Sequence, residues 1–500
     1  MRICFISQFN FCPLFTFYLK IPFHSMRIHN APMSNPRNLA PRIIHLLNTR
    51  CKTRSHLRQI LAHIILHNLR PDTTVAPHFI AACHSLNLLS SAAFPLYINN
   101  LATPHTFVCN TLLKAFSHSG TPQKSPVIYS HMNRNAIPVN HYSFPFVLKA
   151  LADLKLVEEG MSVHAQITKL GFLADVYVGN SLLNLYAAAG NMSLCGKVFD
   201  EMLMRDVVSW TVVISGFKEA GRFDDALIAF ERMKSEGVMP NQVTVVNALA
   251  ACASFGALDI GVWIHQHVKM RGWDLDVILG TSLIDMYGKC GRIEEGLRVF
   301  EAMKEKNVFT WNAVIKGLAL SKSGKEAIKW FYRMEDEGFQ PDDVTLIAVL
   351  CACVHSGLVH MGRQIFASLV DGKYGFSPSV KHYGCMVDLL ARSKCLDEAL
   401  RMIEEMPFEP TVSIWGALLA GCRAQGNSEL SEIAAWKLVE LEPHNCAYYV
   451  ILSNLYAEKG KWSDVEKVRK LMKDRGLKKD VGSSSTVELE NRERSLELVA

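Results

Sequence analysis

The sequence predicts an all-α fold, a right-handed superhelical solenoid of stacked helix-turn-helix repeats, from three observations. The chain copies itself: Tyr129, Phe230 and Phe331 stand 101 residues apart, as do Met132, Met233 and Met334, and His63, His164 and His265. Apolar residues inside each copy recur at helical spacing. Glycine, serine and proline punctuate the joints. A chain made of copies of one supersecondary unit buries its core by stacking neighbours rather than by folding around one centre.

The 101-residue period resolves into units of about 35, 35 and 31 residues. In sequence order they are 40–74, 75–105, 106–140, 141–175, 176–206, 207–241, 242–276, 277–307, 308–342, 343–379 and 380–411, followed by two degenerate units at 412–445 and 446–479. The unit 308–342 shows how one copy folds. Trp311, Val314, Ile315 and Leu318 have the i, i+3, i+4, i+7 spacing of an amphipathic helix. Ser321 and Gly324 mark a turn, and Ala327, Phe331 and Met334 form the stripe of a second helix. Gly338 closes that helix, and Pro341 prevents its continuation. Ala327 corresponds to Cys195, Ala226 and Gly296 in other units, small residues where two helices approach. Phe331 corresponds to Phe199, Phe230, Phe300 and Phe366, the bulky filler beside them. These are core positions and carry no chemistry.

Composition narrows the function. The chain is 49% hydrophobic and 20% charged, with material for a large core. A net charge of +6 is compatible with a polyanionic partner without requiring one. Fourteen cysteines in 500 residues are too sparse for a disulfide framework, and several (Cys252, Cys290, Cys351, Cys353) fall inside helices, as buried free thiols do. No Cys-x-x-Cys occurs, and the recurring histidines lie several hairpins apart, beyond reach of one metal ion. The expectation is a non-enzyme with no catalytic residues, no metal, no cofactor and no membrane span. From Met1 to Pro71 there is no acidic residue but ten Lys and Arg, the composition of an organelle transit peptide, assigned to residues 1–39. A secretory signal is the competing reading of the Phe-rich run Ile3–Leu19, but Gln8, Asn10 and Pro13 interrupt it. The arginines and few serines tilt the destination to the mitochondrion, with the chloroplast as the alternative.

The alternating unit lengths, the stretches Val207-Val208-Ser209-Trp210-Thr211 and Leu283-Ile284-Asp285-Met286-Tyr287-Gly288-Lys289-Cys290-Gly291, and the run from Ala250 to Leu258 resemble the P, L and S motifs of plant pentatricopeptide repeat proteins. Tetratricopeptide arrays are near relatives, but their uniform 34-residue units do not accommodate the 31-residue ones. His382-Tyr383, the run Met386–Leu390 and the run Met406–Pro410 resemble the final S motif. Trp415 to Pro443 and Tyr449 to Lys479 are similar to the two E motifs that follow it. The resemblance assigns 40–411 to the repeat array, 412–479 to E motifs and 480–500 to a tail that stops after Gly482-Ser483-Ser484-Ser485, which looks like the start of the next conserved box.

Members of this subclass are specificity factors for cytidine-to-uridine editing of organelle transcripts, so the resemblance implies single-stranded organelle RNA as the ligand. Base deamination needs a zinc-activated water and a proton-shuttling glutamate. The chain has neither His-x-Glu nor paired Cys-x-x-Cys. The implied partners are therefore a deaminase-bearing (DYW-type) protein in trans and multiple organellar RNA editing factors.

In the family the fifth and last residues of each P or S unit read one base. Carried onto this chain, the pairs are Asn110 with Asn140, Asn180 with Asp206, Thr211 with Asn241, Thr281 with Asn307, and Asn312 with Asp342. The family's code makes these C, U, A, A and U. With L units as blanks (Pro145 and Val246 at the fifth position), the implied site is C-N-U-A-N-A-U. Phe79 with His105, and Gly384 in the last S unit, match no letter. The competing reading is that these Asn and Thr residues simply cap helix starts. Two further functions stay open: an RNA stability or splicing factor, and a tetratricopeptide-like protein-binding scaffold.

Overall fold

A computed structural model describes residues 39–70, 72–99 and 105–477 of the chain. The expected transit peptide, residues 1–38 of it, and the tail beyond 477 lie outside the described residues. Within them every regular element is helical. Two compact units are present, one holding residues up to Arg222 with Arg232–Met239, the other Phe223–Glu231 with the chain from Pro240 onward.

In the first unit the leading helices of successive hairpins pack side by side in chain order. They are Leu39–Thr49, Val75–Ser85, Thr106–Ser117, Ser143–Asp153, Val176–Ala188 and Val207–Glu219. The second unit repeats the arrangement with Gln242–Phe255, Val277–Lys289, Val308–Leu320, Asp343–Ser356, Val380–Arg392 and Val412–Ala424. Contact between neighbours is close enough that a Cβ on Gly288 would sit 2.9 Å from the Cα of Gly317 in the next leading helix. Two leading helices of the second unit are accordingly buried over much more than one stripe. Asp343–Ser356 is buried without interruption from Thr345 to Val354, and Val308–Leu320 buries Asn312, Ala313, Gly317 and Ala319 besides the expected stripe. The amphipathic pattern expected of Val308–Leu320 is blurred because a leading helix has neighbours on both flanks and its own hairpin partner behind.

The second helix of each hairpin keeps one apolar stripe. Gly324–Asp336 buries Ala327, Ile328, Phe331 and Met334. Its end follows the expected punctuation: Gly338 takes φ +84° and donates to Glu335 O, and Phe339 N–H reaches back to Met334 O. The left-handed residue of the turn before it is Lys322, between the expected markers Ser321 and Gly324. The small residues Cys195, Ala226 and Ala327, and the fillers Phe199, Phe230, Phe300, Phe331 and Phe366, are all buried.

One hairpin departs from the pattern. In 75–105 the second helix is wound wider, as π-helical stretches Leu89–Ala93 and Pro95–Asn99, with Phe94 N–H donating to Leu89 O. Pro95 has no amide proton and its ring crowds the carbonyl four residues earlier, which disfavours α winding.

A second device recurs at the 101-residue period. Phe300 and Trp311 meet edge to face at 4.7 Å, and Arg333 lies 5.7 Å over Trp311 and 4.6 Å over Trp330. Its guanidinium is held by Glu301 at 2.8 Å and Glu337 at 2.9 Å. In the first unit Phe199 and Trp210 meet at 4.6 Å under Arg232, which is held by Asp200 at 3.1 Å and Glu236 at 3.0 Å. Each arginine joins two successive hairpins through a charge-assisted fork over an aromatic floor.

Two of the recurring histidines, half-buried His164 and buried His265, have hydrogen-bond partners in the next hairpin. His164 Nδ1 lies 3.0 Å from Tyr186 Oη, and His265 Nδ1 lies 2.8 Å from Tyr287 Oη, each tyrosine belonging to the next leading helix. Burial, reinforced by Lys269, pushes the His265 pKa down to about 4. The unfolded side chain titrates near 6.5. The unfolded state therefore takes up a proton first as pH falls, and the contribution of neutral His265 is complete above pH 6.5 and lost toward about 4. The full loss is about 3–4 kcal/mol, at about 1.4 kcal/mol per pKa unit. Thermal melts at pH 7.5 and 5 should therefore lie closer together for His265→Gln than for the native chain; an unchanged gap would remove His265 from the acid response.

The cysteines are free thiols in every described case. Cys252, Cys351 and Cys353 are buried and Cys290 half-buried. The C-terminal hairpins, Val412–Ala424 with Ser428–Leu441 and Cys446–Glu458 with Trp462–Asp474, share a core of Leu418, Leu438, Leu452 and Val465. Tyr456 Oη and Lys459 Nζ converge on Glu432, at 2.8 and 3.1 Å.

Candidate nucleic-acid interface

Chain geometry brings together the candidate pairs that lie within one compact unit. The last residue of a unit stands just before the next leading helix, and the fifth residue lies one turn inside its own. In the first unit Asn180 Nδ2 donates to Asp206 Oδ1 at 3.1 Å, and Asn110 Nδ2 donates to Asn140 Oδ1 at 3.0 Å. In the second unit Asn312 Nδ2 donates to Asp342 Oδ1 at 3.0 Å. Thr281 and Asn307 are joined through a third side chain: Thr281 Oγ1 lies 3.0 Å from Thr310 Oγ1, which donates to Asn307 Oδ1 at 3.2 Å. Thr211 Oγ1 donates to Val207 O in its own helix at 2.7 Å, and Asn241 accepts from Thr244 N–H at 2.8 Å.

Four of the five last residues do cap the next helix. Asp206, Asn307 and Asp342 are N-caps within reciprocal capping boxes, and Asn241 is an N-cap as well. Asn140 accepts from the Ser143 amide at 3.2 Å. The fifth residues sit inside helices, and Asn110, Asn180, Thr281 and Asn312 bond across to the start of the next hairpin. A carboxylate has two oxygens and an amide nitrogen two protons. The cap and the cross-hairpin bond converge on Oδ1 of Asp206 and Asp342. Burial works to raise the Asp206 pKa but is outweighed by hydrogen bonds from the Ser209 amide, the Asn180 carboxamide and the Ser209 hydroxyl, and the net shift is downward. Asp206 thus stays a pure acceptor through the ordinary carboxylate range, and its charged cap is lost only as pH falls through the lowered value.

Two groups of residues escaped the sequence. The second residue of successive units, Phe107, Tyr142, Tyr177, Val208, Val243, Ile278, Phe309 and Val344, is apolar yet 49–77% exposed. On a helix it lies one turn before the fifth residue and on the same face. Its signal was the recurrence itself, hidden because an apolar residue in a helical pattern reads as core. The other group is the third residue of the hairpin after each pair. Ser143, Ser209, Thr310 and Thr345 are fully buried, and the first, second and fourth donate to the fifth-residue carboxamide oxygen at 2.6–2.7 Å.

Among the described residues no cluster of three His, Cys, Asp or Glu side chains could hold a metal ion, and no helix is long and apolar enough to cross a membrane.

Pentatricopeptide repeat families match at 205–254 and 306–355 and at 180–207, 281–308 and 381–409, and the E motif matches at 425–488. A pentatricopeptide repeat-containing protein of Arabidopsis thaliana is 39% identical over 475 residues, covering 88% of this chain and 76% of its own. The chain belongs to the pentatricopeptide repeat family. A second Arabidopsis pentatricopeptide repeat-containing protein, named as mitochondrial, is 38% identical over 378 residues, covering 75% of this chain and 81% of its own. Among solved structures, PPR10 in complex with an 18-nt psaJ RNA element matches with a TM-score of 0.53 at 14% identity, over 87% of this chain and 79% of that one. That likeness shows the pentatricopeptide repeat fold.

Proposed function

We propose that this pentatricopeptide repeat protein is a sequence-specific single-stranded RNA-binding factor of a plant organelle, acting in the recognition of cytidine-to-uridine editing sites. The observation that carries the reading is the repetition of one polar constellation, a fifth residue bonded to the last residue of its unit, in Asn110/Asn140, Asn180/Asp206 and Asn312/Asp342. In repeats of this kind one base is read by two or three side chains. The exposed second residues, aromatic at Phe107, Tyr142, Tyr177 and Phe309, give each base an apolar face to stack on beside the polar pair. PPR10, whose fold this chain shares, is described bound to RNA.

The pairs favour C-N-U-A-N-A-U. Thr211/Asn241 contributes the first A by its residue types, and Thr281/Asn307 the second. The E motif hairpins then present a downstream cytidine to a deaminase bound from another protein, with organellar editing factors completing the assembly. The mitochondrion is the proposed site of action, in keeping with the name of the 38%-identical relative.

Fluorescence anisotropy with C-N-U-A-N-A-U and scrambled oligonucleotides tests the RNA reading: the matched one should bind at least about tenfold tighter, since each good base contact is worth about 1–3 kcal/mol. Equal binding would favour a protein-binding scaffold. Sequencing organelle transcripts from a null mutant tests the editing role; a fully edited set with altered transcript ends would replace editing by RNA stabilisation.

A further inference from the structure

We infer that the third residue of the hairpin following each reading pair is a positioning residue, which fixes the face that the fifth-position side chain shows to RNA. The inference deepens the RNA-reading proposal and rests on it. Its first support is a correlation along the chain. After every polar fifth residue (Asn110, Asn180, Thr211, Thr281, Asn312) the third residue of the next hairpin is a hydroxyl: Ser143, Ser209, Thr244, Thr310 and Thr345. After Phe79, Pro145, Val246, Ile347 and Gly384 it is Val108, Val178, Leu279, His382 and Ile414. A hydroxyl needed only to start a helix would have no reason to follow the fifth residue of the preceding hairpin.

Geometry supplies the second support. The Thr345 hydroxyl is fully buried and has one proton to give. It lies 2.6 Å from Asn312 Oδ1 and 2.8 Å from Asp342 Oδ1. Asn312 Nδ2 faces the same Asp342 oxygen at 3.0 Å. Turning the carboxamide over would set its oxygen against a carboxylate oxygen and its nitrogen against the hydroxyl. The carboxylate therefore selects the nitrogen side and the hydroxyl the oxygen side. Locked this way, the amide has its acceptor occupied inside the protein, and only its second N–H remains to meet a base. Ser209 Oγ, 2.6 Å from Asn180 Oδ1, and Ser143 Oγ, 2.7 Å from Asn110 Oδ1, impose the same polarity. At Thr281 the fifth residue is itself a hydroxyl. The Thr310 oxygen couples it to Asn307, so the proton position on one side chain sets what the other offers.

Thr345→Val keeps shape and removes the hydroxyl, leaving Asn312 Oδ1 with no donor and the carboxamide without an orientation. Anisotropy with four oligonucleotides differing only at the nucleotide assigned to Asn312/Asp342 should show the preference for U falling from at least about tenfold to within about twofold. The other positions should be read as before, and Thr345→Ser should restore the preference. Ser209→Ala, tested at the nucleotide assigned to Asn180/Asp206, repeats the measurement in a different hairpin should Thr345→Val fold poorly. Uniform weakening on all four oligonucleotides with the U preference intact would show a helix cap and nothing more, and would overturn the inference alone. A native chain with no base preference at either nucleotide would overturn the RNA reading and this inference with it.

Discussion

Replacing Asn312 with Thr and Asp342 with Asn together should move the preferred base at that position from U to A. The hairpin can accommodate both substitutions. A threonine at 312 can meet the Thr345 hydroxyl as Thr281 meets Thr310, at 3.0 Å, and an asparagine at 342 can cap the next helix as Asn307 does. Asn and Asp are nearly equal as N-caps, so stability should change by less than about 0.5 kcal/mol. The base preference should invert, with about 1–3 kcal/mol separating A from U in the opposite sense. Competition binding with the U and A forms of one oligonucleotide measures both halves of this expectation. A variant that still prefers U, with its melting temperature unchanged, would show that the pair does not choose the base.

The largest effect on stability is expected from Trp311→Ala. Trp311 is fully buried between Phe300 and Trp330 and under Arg333. Removing a buried aromatic of this size costs about 3–5 kcal/mol. The loss also strips the floor from the guanidinium that joins Glu301 to Glu337. In a stack whose members contact only their neighbours, the damage should be local. Hydrogen exchange should quicken across the hairpins 277–307 and 308–342, while Cys446–Glu458 and Trp462–Asp474 exchange as before. Protection lost evenly through to Asp474 would mean that the array unfolds as one piece.

Much of this molecule could be read before its structure. Tyr129, Phe230 and Phe331 lie 101 residues apart and all land in the core, and Gly338 with Pro341 marks the end of a hairpin as expected. The fifth and last residues were legible because they occupy fixed offsets in a recurring unit. Their linking hydroxyls were not. Thr345 stands three residues from Asp342, so in the sequence it reads as half of a capping box; its other partner, Asn312, is 33 residues away and becomes a neighbour only when hairpins stack. Phe309 was missed for the opposite reason. It sits in an apolar helix and reads as core, although its position turns it outward. The π-wound stretch after Leu88 depends on how Pro95 is accommodated, which helical periodicity does not encode. The arginine clamps lay in plain view as Arg232 and Arg333, but their aromatic floors come from the preceding hairpin as well as their own.

On the proposed reading of RNA, the double duty of Asp206, Asn307 and Asp342 limits how this protein can change its target. Each begins the following helix with the oxygen that holds its partner, directly in Asp206 and Asp342 and through Thr310 in Asn307, so a mutation there would edit a letter and a helix start at once. Alanine, leucine or valine at such a joint would erase the letter and fray the helix behind it, at about 1 kcal/mol. The tolerated vocabulary is the short list of side chains able to start a helix, and evolution toward a new transcript is confined to steps within it.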